Sequence, residues 1–296
     1  NPPHCEPIPI LHAGDRIGKP YIKCDPSKIV AIVPCDMPDV TRALAPLDDD
    51  AEAMGNNLVE FLTNEVKHGR LPENLLPLQS GVGNVANAVI HGLVESRFKN
   101  LSVYTEVIQD GMFELIDKDK IDMISGTSLS PSPEGLKRFY DNIEKYNKKI
   151  VLRPQEISNN GEVVRRIGVI GMNTALEMDI YGHVNSTHVT GTKLMNAKGG
   201  KISAVVPMCS HVDHTEHDTH VFISEQGVAD VRGLSPKERA KVIINNVAHP
   251  SYRDQLMDYY ERAVAACGHS QTPHILPEAF KFHESLAETG DMHFKK

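Results

Sequence analysis

The sequence predicts an α/β fold with a mostly parallel β-sheet and flanking helices. From residue 75 onward, short apolar runs alternate with helical runs, the order of elements that builds parallel sheets. Turn residues punctuate these runs, as Gln109, Asp110 and Gly111 do after LSVYTEV. The 296 residues are also enough to bury a substantial core.

The elements follow in order. The proline-rich segment 1–46 carries one predicted strand, 28–33. Asp48, Asp49 and Asp50 then supply the N-cap and first-turn carboxylates of a helix that ends at Gly69. We predict strands at 76–79, 101–105, 121–125, 149–152 and 167–172, and helices at 84–96, 112–117 and 133–146. Beyond them, 179–183, 201–207 and 220–223 are strand-like, and 236–246, 252–266 and 278–288 are helical.

Charge and composition exclude several classes of function. A net charge of −8 argues against a nucleic-acid protein that depends on bulk positive charge. The sequence contains no run of eighteen apolar residues, the length that a membrane-spanning helix needs, so it does not predict a membrane span. The five cysteines lack CxxC spacing, which is typical of free thiols in a reducing compartment, either mitochondrial or cytoplasmic. They are Cys5, Cys24, Cys35, Cys209 and Cys267.

Glu106 is the candidate catalytic residue. Val103 and Tyr104 favour a strand, so the following Glu106 falls at the carboxyl end of that strand, where open α/β sheets bind ligands. A carboxylate there can act as a nucleophile or a base. The alternative is an ordinary surface glutamate beside a turn.

The preceding run, LQSGVGNVANAVIHG, opens a helix with Gly81 and Gly83. Glycines at a helix start leave backbone N–H groups that can hold a phosphate or an oxyanion. Tight packing between strand and helix is the other interpretation of this pattern.

Several longer motifs carry a family resemblance over essentially the whole chain. LQSGVGNVANAV, YTEVIQDG, IVLRPQEISNN, DIYGHVNSTHV and FISEQGVADVRGLSP together resemble the acetyl-CoA hydrolase/transferase family. The resemblance implies the CoA-transferase type of α/β fold. It also implies that 1–47 connects from a preceding N-terminal domain and that 48–296 is the C-terminal catalytic domain.

The same resemblance implies the chemistry. Glu106 would be the nucleophile, forming a glutamyl-CoA thioester while CoA moves between short-chain acyl groups such as acetyl and succinyl. The CoA-binding residues would be Gly81, Val82, Gly83, Asn84, Val85, Asn159, Leu176, Asn196 and Lys198. Gln79 and Gln226 have less defined roles around the carboxylate. CoA would be a substrate, with no cofactor or metal, and the protein a homodimer that binds acyl-CoA and carboxylates but neither nucleic acid nor membrane.

One segment departs from the family pattern. After GTKLMN (191–196) the family has a glycine-rich segment, whereas this chain proceeds directly to Ala197-Lys198-Gly199-Gly200. The difference is about twenty residues, more than most ordered loops contain. Either the CoA pocket is impaired, or a mobile loop is missing from the sequence; intact flanking motifs favour the second.

Three alternatives remain at this stage. Access of water to the acyl intermediate would make the same glutamate a hydrolase. The run of His211, His214, His217 and His220 with its carboxylates could hold zinc for hydrolysis, although it lacks the HExxH pattern and a polar loop lining the cleft is favoured. The chain could also bind CoA without catalysis.

Overall fold

The computed structural model describes residues 6–37, 39, 41, 47–81, 83–189 and 200–294. Its helices are α1 (Asp49–Lys67), α2 (Asn84–Glu95), α3 (Asp110–Asp117), α4 (Pro133–Asp141), α5 (Ile143–Asn147), α6 (Gln155–Ser158), α7 (Gly161–Ile167), α8 (Pro236–Asn246), α9 (Pro250–Cys267) and α10 (Lys281–Thr289). Its strands are β1 (Leu78–Ser80), β2 (Leu101–Tyr104), β3 (Val107–Ile108), β4 (Ile121–Gly126), β5 (Ser128–Leu129), β6 (Ile150–Leu152), β7 (Ile170–Met172), β8 (Glu177–Asp179), β9 (Val184–Asn185), β10 (Val205–Val206), β11 (Val221–Ser224) and β12 (Gly227–Asp230).

The chain divides into two compact units. Unit 1 comprises Asn1–Leu47 and Leu62–Asn173, and unit 2 comprises Asp48–Phe61 and Thr174–Lys296. The division therefore falls inside α1 and again after Asn173. Whether 1–47 connects from a further domain stays a prediction.

A five-stranded parallel sheet forms the centre of unit 1. Its strand order is β6-β4-β2-β1-β7, and each neighbouring pair is parallel. The short strands β3 and β5 form a separate parallel pair. The predicted α/β class with a mostly parallel sheet is confirmed, because strands and helices alternate as the sequence indicates.

Apolar side chains of the strands and of α2 and α3 form the core of unit 1. Leu78, Val103 and Ile124, on three different strands, are fully buried. On α3, Phe113 stacks on Tyr146 with ring centroids 5.1 Å apart. The Tyr146 hydroxyl donates to the carboxylate of Asp117 over 3.0 Å. Burying such aromatic surface supplies a large part of a core's stability.

Residues 8–15 pack onto unit 1. Ile10 and Ala13 are buried with Tyr104 and Val163. The guanidinium of Arg153 donates to the carbonyl oxygens of Ala13 and Asp15, each over 2.9 Å. This part of the N-terminal segment therefore belongs to the packed unit.

Unit 2 is built on smaller sheets. Strands β10, β8 and β9 form a mixed three-stranded sheet, and β11 and β12 form an antiparallel hairpin. A core of fully buried side chains from α8 and α9, including Ile243, Tyr252 and Leu256, packs with Tyr181. Helix α8 begins with a capping box between Ser235 and Glu238, as its SPKE sequence favours.

A histidine between two carboxylates lies in unit 2. Nδ1 of His183 is 2.9 Å from Oδ2 of Asp179, and Nε2 is 2.9 Å from Oε2 of Glu216. Two carboxylates can only accept, so this arrangement suits the doubly protonated ring. The hydrogen bond from His183 to Asp179 accordingly raises the pKa of His183.

Some sequence-based boundaries are wrong. No strand forms at 28–33: a 3-10 helix occupies Pro26–Lys28, and Val30 and Ile32 are 97% and 84% exposed. A strand needs a neighbour to satisfy its backbone, and among the described residues none pairs with this segment. Of the predicted strand 179–183, only Asp179 lies in a strand, at the end of β8, and a turn follows because Asp179 accepts from the N–H groups of Tyr181 and His183. Gly182 there has a φ of 99°.

Four other elements differ in extent. The predicted helix 133–146 breaks at Asn142, whose φ and ψ are −127° and 25°. Only Ile170–Met172 of the predicted strand 167–172 forms a strand, β7. Ile167 is the last residue of α7, and Gly168 is the C-cap of that helix, with a φ of 74°. Only Val205–Val206 of 201–207 is a strand. The helix predicted from 278 begins at Lys281, after a 3-10 turn.

Across the described ranges, every helix is too short or too polar to cross a bilayer.

Four cysteines are free thiols: Cys24, Cys35, Cys209 and Cys267. Burial raises the pKa of the Cys209 thiol.

Gly135 provides a test of packing in unit 1. A Cβ there would lie 2.0 Å from Oδ1 of Asp110, and the Asp110 carboxylate is held by the N–H and hydroxyl of Ser132. We expect Gly135→Ala to lower the free energy of unfolding by about 1–3 kcal/mol, since a methyl group must displace this carboxylate. Denaturant unfolding of the intact protein measures the loss.

Gly161→Ala is the matched control. Gly161 also lies in the first turn of a helix, but a Cβ added there would meet no atom of the described part of the chain within 4 Å. We expect unchanged or slightly raised stability for this variant. Equal losses for the two variants would contradict the packing described for Gly135.

Candidate functional site

The carboxyl ends of the parallel strands bring together several sequence-predicted residues of unit 1. Because parallel strands end at one edge of a sheet, the residues that follow β1, β2, β4, β6 and β7 share that edge. Glu106 follows β2, as predicted, and the Gly81 turn follows β1. Asn159 lies beyond β6, at the C-cap of α6.

Glu106 has a fixed backbone and an exposed side chain. Its carbonyl oxygen accepts from the N–H groups of Thr127 and Ser128, over 2.7 and 3.2 Å. Its carboxylate oxygen Oε1 lies 3.4 Å from Nε2 of Gln155. Glu106 is an exposed residue, so its carboxylate is accessible to an incoming substrate at the sheet edge.

The turn between β1 and α2 is held from both sides. The Gly81 N–H donates to the carbonyl of Met172 over 3.1 Å, and the Gly81 carbonyl accepts from the amide of Gln109 over 2.8 Å. Thr105, directly before Glu106, donates its hydroxyl to the carbonyl of Ser80 over 3.1 Å. The glycine turn and the segment around Glu106 are thus joined by hydrogen bonds.

Helix α2 begins at Asn84, and its N-cap is Gly83. Gly83 has a φ of 116° and a ψ of −175°, a conformation essentially confined to glycine. Glycine offers no side chain to cap the helix, and the first-turn N–H groups have no intrahelical acceptor. The backbone at Asn84 and Val85 can therefore donate to an anion, as the sequence analysis expects. Val82 lies outside the described residues.

The remaining predicted residues have different positions. Gln79 accepts from the Met172 N–H and exchanges side-chain hydrogen bonds with Asn173, so it supports the turn. Leu176 and Gln226 belong to unit 2, where Leu176 precedes β8 and Gln226 lies between β11 and β12. Asn196 and Lys198 fall outside the described residues.

Sequence reasoning missed three residues at this edge: Gln109, Arg153 and Gln155. Arg153 is 6% exposed, donates from Nε to the hydroxyl of Ser125, and lies 5.5 Å from the Tyr104 ring centroid. Arg153 and Gln155 both follow a predicted strand, and this position could have marked them as residues of the sheet edge. Gln109 could not be found this way, because its partner lies 28 residues away.

The histidine run does not gather around one point. His211 lies 3.1 Å from a carboxylate oxygen of Asp213, and its ring centroid is 4.3 Å from that of His188. His217 instead lies 3.3 Å from a carboxylate oxygen of Glu216. The second carboxylate oxygen of Glu216 contacts His183. In the ranges that the structure describes, no three histidine, cysteine or acidic side chains are arranged to hold a metal ion.

Gly83 provides the test of this turn. We expect Gly83→Ala to lower the free energy of unfolding by about 1–3 kcal/mol, since alanine is strained at this φ. No atom of the described residues lies within 4 Å of the added Cβ, so we expect the loss to reflect the backbone alone. In Gly81→Ala the added Cβ meets its nearest atom at 3.5 Å, an ordinary contact, and φ there is not positive. Denaturant unfolding that shows equal losses would contradict the strain assigned to Gly83.

Comparisons with known proteins concern the family and the fold of the chain. The model of the acetyl-CoA hydrolase/transferase C-terminal domain matches residues 135–202 and 195–260. The two matched pieces overlap at 195–202. In solved structures, the fold is similar to RipA from Yersinia pestis (TM-score 0.63, 23% identity, 76% of this chain and 55% of that one).

A 4-hydroxybutyrate CoA-transferase from Porphyromonas gingivalis has the same fold (TM-score 0.58, 23% identity, 75% of this chain and 57% of that one), which confirms the predicted CoA-transferase type.

Curated relatives are more similar in sequence. A succinyl-CoA:acetate CoA-transferase of Clostridium kluyveri is 55% identical over 99% of this chain and 58% of its own length. An acetyl-CoA hydrolase of Yarrowia lipolytica is 46% identical over 100% of this chain and 62% of its own length. The chain thus spans about three fifths of the length of these relatives. It belongs to the acetyl-CoA hydrolase/transferase family.

Proposed function

We propose that the protein transfers CoA between short-chain acyl groups, with Glu106 as the nucleophile. One observation carries the proposal: an exposed carboxylate follows β2 at the same sheet edge as a glycine turn and a helix start whose first N–H groups have no intrahelical acceptor. The 55% identity to a succinyl-CoA:acetate CoA-transferase supports acetyl-CoA, succinyl-CoA, acetate and succinate as substrates.

The first half-reaction has two steps. A carboxylate oxygen of Glu106 attacks the thioester carbonyl, and the carbon–sulfur bond breaks to give CoA thiolate and an acyl-glutamyl anhydride. The thiolate then attacks the Glu106 carbonyl carbon. The bond from this carbon to the bridging oxygen breaks, which releases the free acid and leaves a glutamyl-CoA thioester. An acceptor carboxylate reverses both steps and departs as a new acyl-CoA.

The residues around Glu106 supply binding and charge stabilisation. The start of α2 lies at the same edge of the sheet as Glu106, and backbone N–H donors at such a position stabilise an oxyanion strongly. We assign CoA binding in unit 1 to the turn from Gly81 to Val85 and to Asn159. The CoA-binding roles of Leu176, Asn196 and Lys198 stay predictions. The Lys198 ammonium suits a CoA phosphate. CoA is the substrate in this scheme, and no cofactor or metal takes part.

Hydrolysis is the second candidate, and the acetyl-CoA hydrolase names of the fungal relatives favour it. Water would attack the same intermediate in place of a carboxylate. A covalent CoA ester is redundant for hydrolysis alone, which favours transfer. The ratio of new acyl-CoA to free CoA at saturating acetate distinguishes the two, and we propose that new acyl-CoA predominates. A homodimer and a mitochondrial or cytoplasmic location stay predictions.

Glu106→Gln tests the nucleophile. We expect turnover to fall by at least about 10³-fold with an unchanged Tm, because an amide cannot form the anhydride. Initial rates of acyl-CoA consumption and thermal unfolding of the intact protein measure both properties.

Glu95→Gln is the matched control. Glu95 is also an exposed glutamate, but it ends α2, away from the helix start at the glycine turn. Its rate should equal that of the wild type. A Glu106→Gln enzyme that retains wild-type rates would end the assignment of Glu106.

A further inference from the structure

Within the described part of the chain, Gln155 is the one side chain that hydrogen bonds to the Glu106 carboxylate. Its Nε2 donates to Oε1 over 3.4 Å. The second oxygen, Oε2, has no hydrogen bond to any described residue. The two carboxylate oxygens of Glu106 are therefore in different environments, one held by an amide and the other free.

Hydrogen bonds hold the backbone on both sides of Gln155. It is the first residue of α6 and follows Pro154 and the buried Arg153, whose N–H donates to the carbonyl of Gly126 over 2.9 Å. At the other end of the same helical turn, the hydroxyl of Ser158 bonds to that of Thr127. The strand end at Gly126 and the loop at Thr127 thus hold α6 in place beside Glu106.

The Glu106 side chain needs such a restraint. Its backbone is fixed by two hydrogen bonds, but the terminal torsion of a glutamate has a broad distribution that leaves the carboxylate plane undefined. A donor on Oε1 selects one plane and leaves Oε2 to attack. A 1 Å error in the position of a reacting group can cost about 100-fold in rate.

We propose that Gln155 is a further catalytic residue of the reaction assigned above, through its hydrogen bond to Oε1 of Glu106. Before attack, the amide N–H orients the carboxylate so that Oε2 meets the thioester carbonyl carbon. In the second step, CoA thiolate attacks the Glu106 carbonyl carbon, and Oε1 carries the negative charge of the tetrahedral intermediate. The same N–H then stabilises that charge until the bond from carbon to Oε2 breaks and the free acid departs. The inference rests on the proposed function.

Two variants test the donor, Gln155→Ala and Gln155→Glu. The alanine variant removes the amide, whereas the glutamate variant keeps its size and replaces the donor with a carboxylate. Glu156→Gln is the control, because Glu156 is the adjacent exposed residue of α6 and has no side-chain hydrogen bond or ion pair to any described residue. Steady-state kinetics with acetyl-CoA and succinate give kcat and KM, and rapid quench without an acceptor measures the burst of free acid.

We expect kcat of both Gln155 variants to fall by about 10- to 100-fold, with KM for acetyl-CoA within about twofold of the wild type. The burst should slow by the same factor but still reach one acid per site, because the nucleophile is intact. Gln155→Glu should be no better than Gln155→Ala, whereas a packing role would let it restore the wild-type rate.

Wild-type kcat in either Gln155 variant would overturn the proposal, and so would a raised KM with unchanged kcat. If the wild type itself shows no burst of acid, the proposed function fails and this inference fails with it. If the wild type shows a burst and the Gln155 variants match it, only the role of Gln155 is wrong.

Discussion

The candidate site of unit 1 depends on the contacts that the buried guanidinium of Arg153 makes. It donates to Ser125 at the end of β4 and to two carbonyl oxygens of the segment 13–15, and it lies over the Tyr104 ring at the end of β2. Burying a cation is costly unless its donors are satisfied, so these partners stabilise the buried charge. Burial accordingly lowers the pKa of Arg153. Gln155 follows two residues later, and its position beside Glu106 is a consequence of this anchor.

Most of the remaining restraints at the sheet edge are neutral hydrogen bonds between amides, hydroxyls and the backbone. Gln109 holds the carbonyl of Gly81, Thr105 holds that of Ser80, and Gln79 holds the Met172 N–H. Each typically contributes about 1 kcal/mol to stability, yet each fixes the position of a backbone group. The backbone groups on either side of the glycine turn are therefore held by neutral partners.

The sequence predicts those parts of the site that depend on local patterns better than those that depend on contacts between distant residues. The apolar run at 101–105 and the turn after it correctly place Glu106 at a strand end, and the glycines correctly place the start of α2. The missed α7 had local signals, an Asn160 N-cap and Gly168 at its end. The strand at 28–33 was wrong, because β-branched residues form a strand only where another strand pairs with them.

Pairs such as Gln109 with Gly81, or Gln155 with Glu106, depend on the order and register of the strands, which local patterns do not contain.

The most direct measurement of the central claim is a map of the covalent intermediate. The intact protein is incubated with acetyl-CoA in the absence of an acceptor, reduced with borohydride, and digested for peptide mass analysis. A glutamyl thioester is reduced to the alcohol, whereas a free carboxylate is not. The account predicts a modified Glu106 within residues 101–111, only after acyl-CoA treatment. Modification of a cysteine instead, or of no residue at all, would contradict it.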